Sequence, residues 1–420
     1  MQTNLADFIK NTHEGREAED ILRKCVHCGF CAATCPTYQL LGDELDGPRG
    51  RIYLIKQVLE GKPATEKTQL HLDRCLTCRN CETTCPSGVQ YGRLVDIGRS
   101  IVARQVQRPF ADRAKRKLLA EGMNSALFAP ALKLGQAMRW AVPESLKAKV
   151  PPKQQAGLRP PVRHARRMIL LEGCVQPAMM PNINNAAARV LDQLGISLIT
   201  APGAGCCGAV RFHLDFQEQG ADDMRRNIDA WLPLVESGEV EAIAMTASGC
   251  GAMVREYGHH LAHDPRYAQK AERIGALTRD LSEIVLAEEA RLIPLLQSAA
   301  RKPGRGGQAK RVAYHPPCTL QHAQQLRGAA ERILQAAGFE LAAVSESHLC
   351  CGSAGAYSVL NPEISEQLKQ RKLANLQAGS SEMRPEMILS ANVGCLTHLQ
   401  SGTQTPVKHW IEAVDELLAP

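Results

Sequence analysis

The sequence predicts a mixed α+β and α/β protein, with a mainly helical N-terminal domain followed by a duplicated α/β region built on parallel sheets. Three observations carry this reading. Two cysteine runs of identical spacing lie 50 residues apart near the N-terminus. A second set of cysteines recurs at an offset of 144 or 145 residues, and each half of that longer repeat alternates extended apolar runs with helical ones.

The N-terminal runs read C-x-x-C-x-x-C-x-x-x-C-P, as CVHCGFCAATCP and CLTCRNCETTCP, and contain Cys25, Cys28, Cys31, Cys35 and Cys75, Cys78, Cys81, Cys85. Two-residue gaps let three thiolates wrap one face of a cubane, while the cysteine before proline points to the neighbouring cluster. Cys25, Cys28, Cys31 and Cys85 are therefore expected to hold one [4Fe-4S] cluster, and Cys75, Cys78, Cys81 and Cys35 a second. This makes residues 15–98 a two-cluster ferredoxin-like domain. Zinc is disfavoured, because its sites take C-x-x-C pairs separated by a longer loop. Between the runs, DGPRGR at residues 46–51 allows two readings: Arg49 and Arg51 bond backbone carbonyls or neutralise a cluster, or they are solvated at a Gly-Pro turn.

Residues 99–167 read as a basic helical linker. They contain sixteen Lys or Arg against Asp112, Glu121 and Glu144, a surplus of +13 in a chain of net charge +7. Such a belt solvates a linker or docks an acidic partner or anionic lipid. Residues 100–148 look helical with breaks at Pro109, Pro130 and Pro143. Within them Met123, Leu127, Phe128, Leu132, Met138 and Trp140 are read first as packing on the protein's own core, with peripheral membrane contact as the alternative.

The longer repeat divides into halves at 168–279 and 311–420, joined by a connecting helix and linker over 280–310. Each half starts with a strand, MILLEG or RVAYHP, followed by a helix over 183–194 or 322–337 that ends at glycine. A second strand, ISLIT or ELAAV, leads to the tripeptide CCG. Helices near 216–234 and 362–377 and the strands EAIAMTAS and MILSANV then lead to a Gly-Cys pair. Loops after parallel strands converge at one sheet edge, so the four cysteines of a half meet there. An additional cluster is assigned first to Cys318, Cys350, Cys351 and Cys395, and second to Cys174, Cys206, Cys207 and Cys250. The second half ranks higher because His315 falls opposite Leu171 and His398 opposite Met253. A lone histidine on such a loop more often hydrogen-bonds than ligates, so both stay outside the ligand set.

Composition excludes other classes. Hydrophobic residues are 44% and charged residues 22% of 420, ordinary for a globular protein. Sixteen cysteines without a basic, apolar leader suggest a reducing compartment, where clustered thiols are metal ligands rather than disulfides. No apolar run approaches 18 residues. No P-loop or hydrolytic triad stands out, and the Gly-x-Gly-x-x-Gly match at 203–208 is incidental, since the second half shares only its CCG. Nothing marks a nucleic-acid partner.

The tandem runs, DGPRGR between them, and two CCG halves ending in GCGAM and ANVGCLTHLQSG resemble the iron-sulfur subunits of bacterial glycolate oxidases. The resemblance covers nearly the whole chain. It implies two [4Fe-4S] clusters and no catalytic residues in this chain. It also implies an FAD-containing subunit that oxidises glycolate to glyoxylate, a second flavin-type subunit, and electrons leaving for the quinone pool or another acceptor. A cytoplasmic location, peripheral on the inner face of the cell membrane, goes with that role. Cluster subunits of glycerol-3-phosphate dehydrogenase, lactate-utilisation and heterodisulfide reductase complexes look similar. The last end each CCG half with C-x-x-C, where this chain has Met253 and His398.

Overall fold

The computed structural model describes residues 1–141, 152–300, 310–379 and 383–419. In the N-terminal region, helices His13–Lys24, Pro48–Leu59, Glu66–Asp73 and Tyr91–Gln105 enclose a core of Ile21, Leu22, Ile55, Leu59, Leu72, Leu94 and Val95. Local chemistry sets their starts. Thr12 accepts the Gly15 N–H, Thr65 and Thr68 form a reciprocal cap, and Pro48 occupies a first turn whose N–H would be unpaired anyway. Gly98 lets helix 91–105 press onto helix 48–59, since a Cβ there would sit 2.6 Å from Ile55.

The basic segment continues as helices Phe110–Gly122 and Phe128–Ala137. Pro130 does not break the second of these; it lies in the first turn, where proline costs nothing. Pro143 lies outside the described residues. Much of the belt's charge is spent internally. Arg108 pairs with Asp73 and Asp215 (2.8 Å to the latter), Arg116 with Asp73 and Asp112, and Arg99 donates to the Leu72 and Cys75 carbonyls at 2.7 Å. The solvated-linker reading is corrected accordingly. The preferred core-packing of the apolar residues holds only in part: Met123, Phe128 and Leu132 are half-buried, with helix 128–137 against helix Gln176–Met179, whereas Leu127, Met138 and Trp140 are 73%, 48% and 83% exposed.

Each half of the duplicated region carries a four-stranded, all-parallel sheet. The first contains β1 (Arg166–Leu170), β2 (Ile196–Ile199), β3 (Ala242–Met245) and β4 (Thr278–Asp280) in the order β2-β1-β3-β4. The second contains β5 (Arg311–His315), β6 (Glu340–Leu341), β7 (Met387–Ser390) and β8 (Val407–His409) in the order β6-β5-β7-β8. The sequence showed three strands per half. The fourth, TRD or VKH, is a three-residue edge strand with no apolar alternation to betray it. The stretch 322–337 also differs. A π-helical turn at Thr319–Ala323 precedes a separate helix, Ala329–Ala336, that starts after left-handed Gly328. Residues 280–300 form two helices, Leu281–Ala287 and Glu289–Ala300.

The halves pack through helices Asn182–Gln193 and Trp410–Leu418 around a shared core containing Ile183, Leu191, Leu334, Trp410 and Val414. Arg189 pairs with Asp415 at 2.6 Å and Asn182 donates to Glu412 at 2.8 Å across this seam.

Candidate metal centres

All sixteen cysteines are free thiols. In the N-terminal region both runs adopt the same wrapped loop. His27 and Gly29 in the first and Thr77 and Arg79 in the second, at matching places, have φ of +57°, +85°, +51° and +57°. Left-handed residues turn successive amides inward, a concavity suited to an anionic group. Arg79 holds a conformation that glycine holds in the first run, and its guanidinium is anchored by Glu256 at 2.6 Å.

Cys25, Cys28, Cys31 and Cys85 line one cavity together with Ile52, Pro86 and Tyr91, and Cys81 of the second run reaches its wall. Burial, and then Cys25 beside it, pushes the Cys31 thiol up to about 11. The second set gathers around Cys78 and Cys81, with Cys75 and Cys35 beside them, and burial holds the Cys78 and Cys81 thiols well above the ordinary range. Four thiols that crowd together without bridging ionise only against a cation, so both sets suit a metal cluster. Their surroundings differ. Cys28 is exposed and flanked by Val26 and Phe30, 68% and 61% exposed, whereas the second set is walled by buried cations and donors. Tyr91 Oη lies 3.6 Å from Cys75 Sγ, and Arg99 holds the Cys75 carbonyl.

Neither arginine of DGPRGR is simply solvated at a turn. Arg49, half-buried, lines the cavity of Cys25, Cys28, Cys31 and Cys85 and pairs with Glu44 at 2.6 Å. Arg51 is buried, with Nε donating to the His71 carbonyl at 2.7 Å and the guanidinium bonded to Thr37 and Asp46. Burial opposes its charge, but Cys75, Tyr91, Cys35 and Asp46 outweigh it and hold the guanidinium's pKa above its ordinary value.

In the duplicated region the cysteines occupy loops and helix starts beyond the C-terminal ends of the first three strands of each half. The CCG glycines have φ of +90° and +91°, and a Cβ on either would approach a carbonyl oxygen, Gly220 or Ser365, to 2.6 Å. Each glycine N–H donates to the first thiol of its pair, Cys206 or Cys350, at 3.4 Å. In the first half Cys174, Cys206, Cys207 and Cys250 converge. Hydrogen bonds from Cys174 and Cys207 favour the thiolate at Cys206 while holding their own thiols up. Cys207 and Cys250 pack in the first half's own core, with Met224, Trp231 and Tyr257. In the second half Cys318 and Cys350 are 3.9 Å apart, and Cys351 adjoins both Cys350 and Cys395.

The second set also meets the N-terminal region. Leu76, Cys78, Cys318, Cys350, Tyr357 and Leu368 form one apolar cluster. Asn80 donates to the His348 carbonyl (3.3 Å), Thr83 bonds His322 (2.9 Å) and Tyr357 Oη donates to the Arg74 carbonyl (2.9 Å).

Two residues were missed from sequence. His315, set aside there, ends β5 beside Cys351 and Cys395, all three donor atoms lying within 4.8 Å of one another. Its contrast with Leu171 was the available signal. Lys372, 2% exposed, donates to the Glu346 carbonyl at 2.6 Å, burial pushes its ammonium's pKa down, and nothing in its helical run marked it. His398, by contrast, bonds Ser365 at 3.3 Å.

Residues 21–89 match the family described as 4Fe-4S dicluster domain, and residues 168–255 and 312–400 each match the family described as Cysteine-rich domain. The chain is 53% identical over 420 residues to the glycolate oxidase iron-sulfur subunit of Escherichia coli (strain K12), covering all of this chain and 99% of that one. It is 29% identical to the probable glycolate oxidase iron-sulfur subunit of Bacillus subtilis (strain 168), over 94% of this chain and 92% of that protein. Lactate utilization protein A of Geobacillus thermodenitrificans (strain NG80-2) shares 24% identity over 56% of this chain and 90% of its own length. Dicluster region, duplicated thiol sites and full-length identity together place the chain in the family of glycolate oxidase iron-sulfur subunits, as an iron-sulfur electron-transfer protein.

Proposed function

We propose that this chain relays electrons for a glycolate-oxidising complex, between an FAD-containing subunit, acting with a second flavin-type subunit, and the quinone pool or another acceptor. In this reading Cys25, Cys28, Cys31 and Cys85 hold one [4Fe-4S] cluster, Cys75, Cys78, Cys81 and Cys35 the next, and Cys318, Cys350, Cys351 and Cys395 a third. Iron-sulfur clusters supply one-electron steps without proton chemistry of their own. The chain's residues set the order of the sites and their insulation.

The observation that carries the reading is the place of Cys78, which shares an apolar cluster with Cys318 and Cys350. Side chains there exclude water between the second and third thiol sets. At the other end, Val26, Cys28 and Phe30 offer a solvent-facing rim for a redox partner. The domain division follows the same logic: 15–98 for the two clusters, 99–167 as basic connector, and 168–279 and 311–420 as the halves, joined by 280–310.

A cytoplasmic position on the inner membrane face fits exposed Leu127, Leu134 and Trp140 lying among basic residues. No helix among the described residues is long and apolar enough to cross a membrane.

The test is direct. The purified chain alone should show no glycolate oxidation, and adding the flavoprotein subunits should reduce its clusters when glycolate is supplied. Glycolate turnover by this chain without flavoprotein would contradict the reading.

A further inference from the structure

His315 is 1% exposed, and neither ring nitrogen has a hydrogen-bond partner. Burying an imidazole with both nitrogens unpaired forfeits its interactions with water and gains nothing in exchange. The ring nevertheless lies against Cys351 Sγ and Cys395 Sγ, with the three donor atoms within 4.8 Å of one another and all three residues buried. Neighbouring polar side chains hold this arrangement. Ser390 on the neighbouring strand donates to the His315 carbonyl at 2.8 Å, and Asn392 orients Cys395 from 3.7 Å.

We infer that His315 is an iron ligand of the second-half site, its ring nitrogen bonded alongside the thiolates of Cys351 and Cys395. This rests on the third cluster proposed above and extends its donors from four thiols to four thiols and an imidazole. A neutral imidazole adds no negative charge where a further thiolate would, which favours the reduced state.

The first half shows what its absence looks like. The carbonyl and Cβ that crowd Gly208 belong to Gly220 and Asp223, and those that crowd Gly352 belong to Ser365 and Leu368, so these residues correspond. Four positions further on, Asn227 corresponds to Lys372. Leu171 and Asn227 thus stand where the second half has His315 and the buried Lys372, and Asn227 accepts the Gly205 N–H and donates to the Cys206 carbonyl and Tyr257. The second half carries an additional donor and a buried lysine at the site that adjoins Cys78.

The experiment uses the full chain in its complex, produced with ⁵⁷Fe and ¹⁵N-histidine. Hyperfine spectroscopy covers the paramagnetic state, Mössbauer spectroscopy any diamagnetic one. The expected result is a third centre with histidine nitrogen on one iron, a signature lost in His315→Leu while both N-terminal cluster signals persist. A third centre in the unmutated protein without that nitrogen, a signature unchanged in His315→Leu, or zinc at the site would overturn the inference; the first two leave the third cluster standing. About eight irons per chain and no third centre would remove the third cluster itself, and the inference with it.

Discussion

The two halves of the duplicated region present the same four thiols on the same sheet edge, held by the same glycine geometry, yet they face different neighbours. Cys174, Cys206, Cys207 and Cys250 sit within their own half, where Asn227 and Tyr257 bond the CCG carbonyls. Cys318 and Cys350 touch the apolar cluster that contains Cys78, and behind them lie His315 and Lys372. Both copies of the scaffold touch the N-terminal region, the first through Glu256 and His259, but the second also shares an apolar cluster with Cys78, one of that region's thiols. The difference teaches that cysteine spacing identifies a capable site, while the contacts around it decide whether that site lies on an electron path.

The largest effect expected from breaking this comparison comes from the CCG glycines. Alanine at either would force a left-handed, crowded conformation costing about 1–3 kcal/mol, seen as a similar loss of thermal stability in Gly208→Ala and Gly352→Ala. Electron transfer in the assembled complex should separate them, falling about tenfold or more for Gly352→Ala and little for Gly208→Ala. Equal losses of turnover would erase the distinction between the halves.

A smaller, opposite-signed effect lies in the helix caps. Asp280 caps the helix after β4 and His409 the helix after β8 in the same reciprocal arrangement. Burial pushes the Asp280 carboxyl up to about 6 and the His409 imidazole down to about 3. Between about pH 4 and 6 the folded protein keeps a proton on Asp280 that the unfolded chain has lost, so this contribution weakens as pH rises. Over about pH 3 to 6.5 the unfolded chain holds a proton on His409 that the folded protein lacks, so that contribution weakens as pH falls. Denaturant unfolding across this range should show Asp280→Asn steepening the rise of stability with pH and His409→Asn flattening it, each by at most about 1.4 kcal/mol per pH unit. Changes of the same sign would contradict the assignment.

Much of this architecture was legible beforehand because local rules carried it. The spacing of the N-terminal cysteines follows from how a short loop wraps a cubane, and the alternation of strands and helices implied parallel sheets with converging loops. What was not legible depended on tertiary contact. β4 and β8 are too short to show a pattern and exist because β3 and β7 offer them an edge. The arginines of the 99–167 belt looked like a solvated surplus until Asp73 and Asp215 were brought to them from other segments. His315 was read as an ordinary loop histidine, since nothing local says that its ring will be buried without a partner beside two thiols.

The most direct test of the central claim is an anaerobic count of iron and acid-labile sulfide in the full chain, alongside Cys350→Ser and Cys206→Ser. The account predicts about twelve irons per chain, falling to about eight in Cys350→Ser and unchanged in Cys206→Ser. About eight in the unmutated chain, or the larger loss in Cys206→Ser, would contradict it.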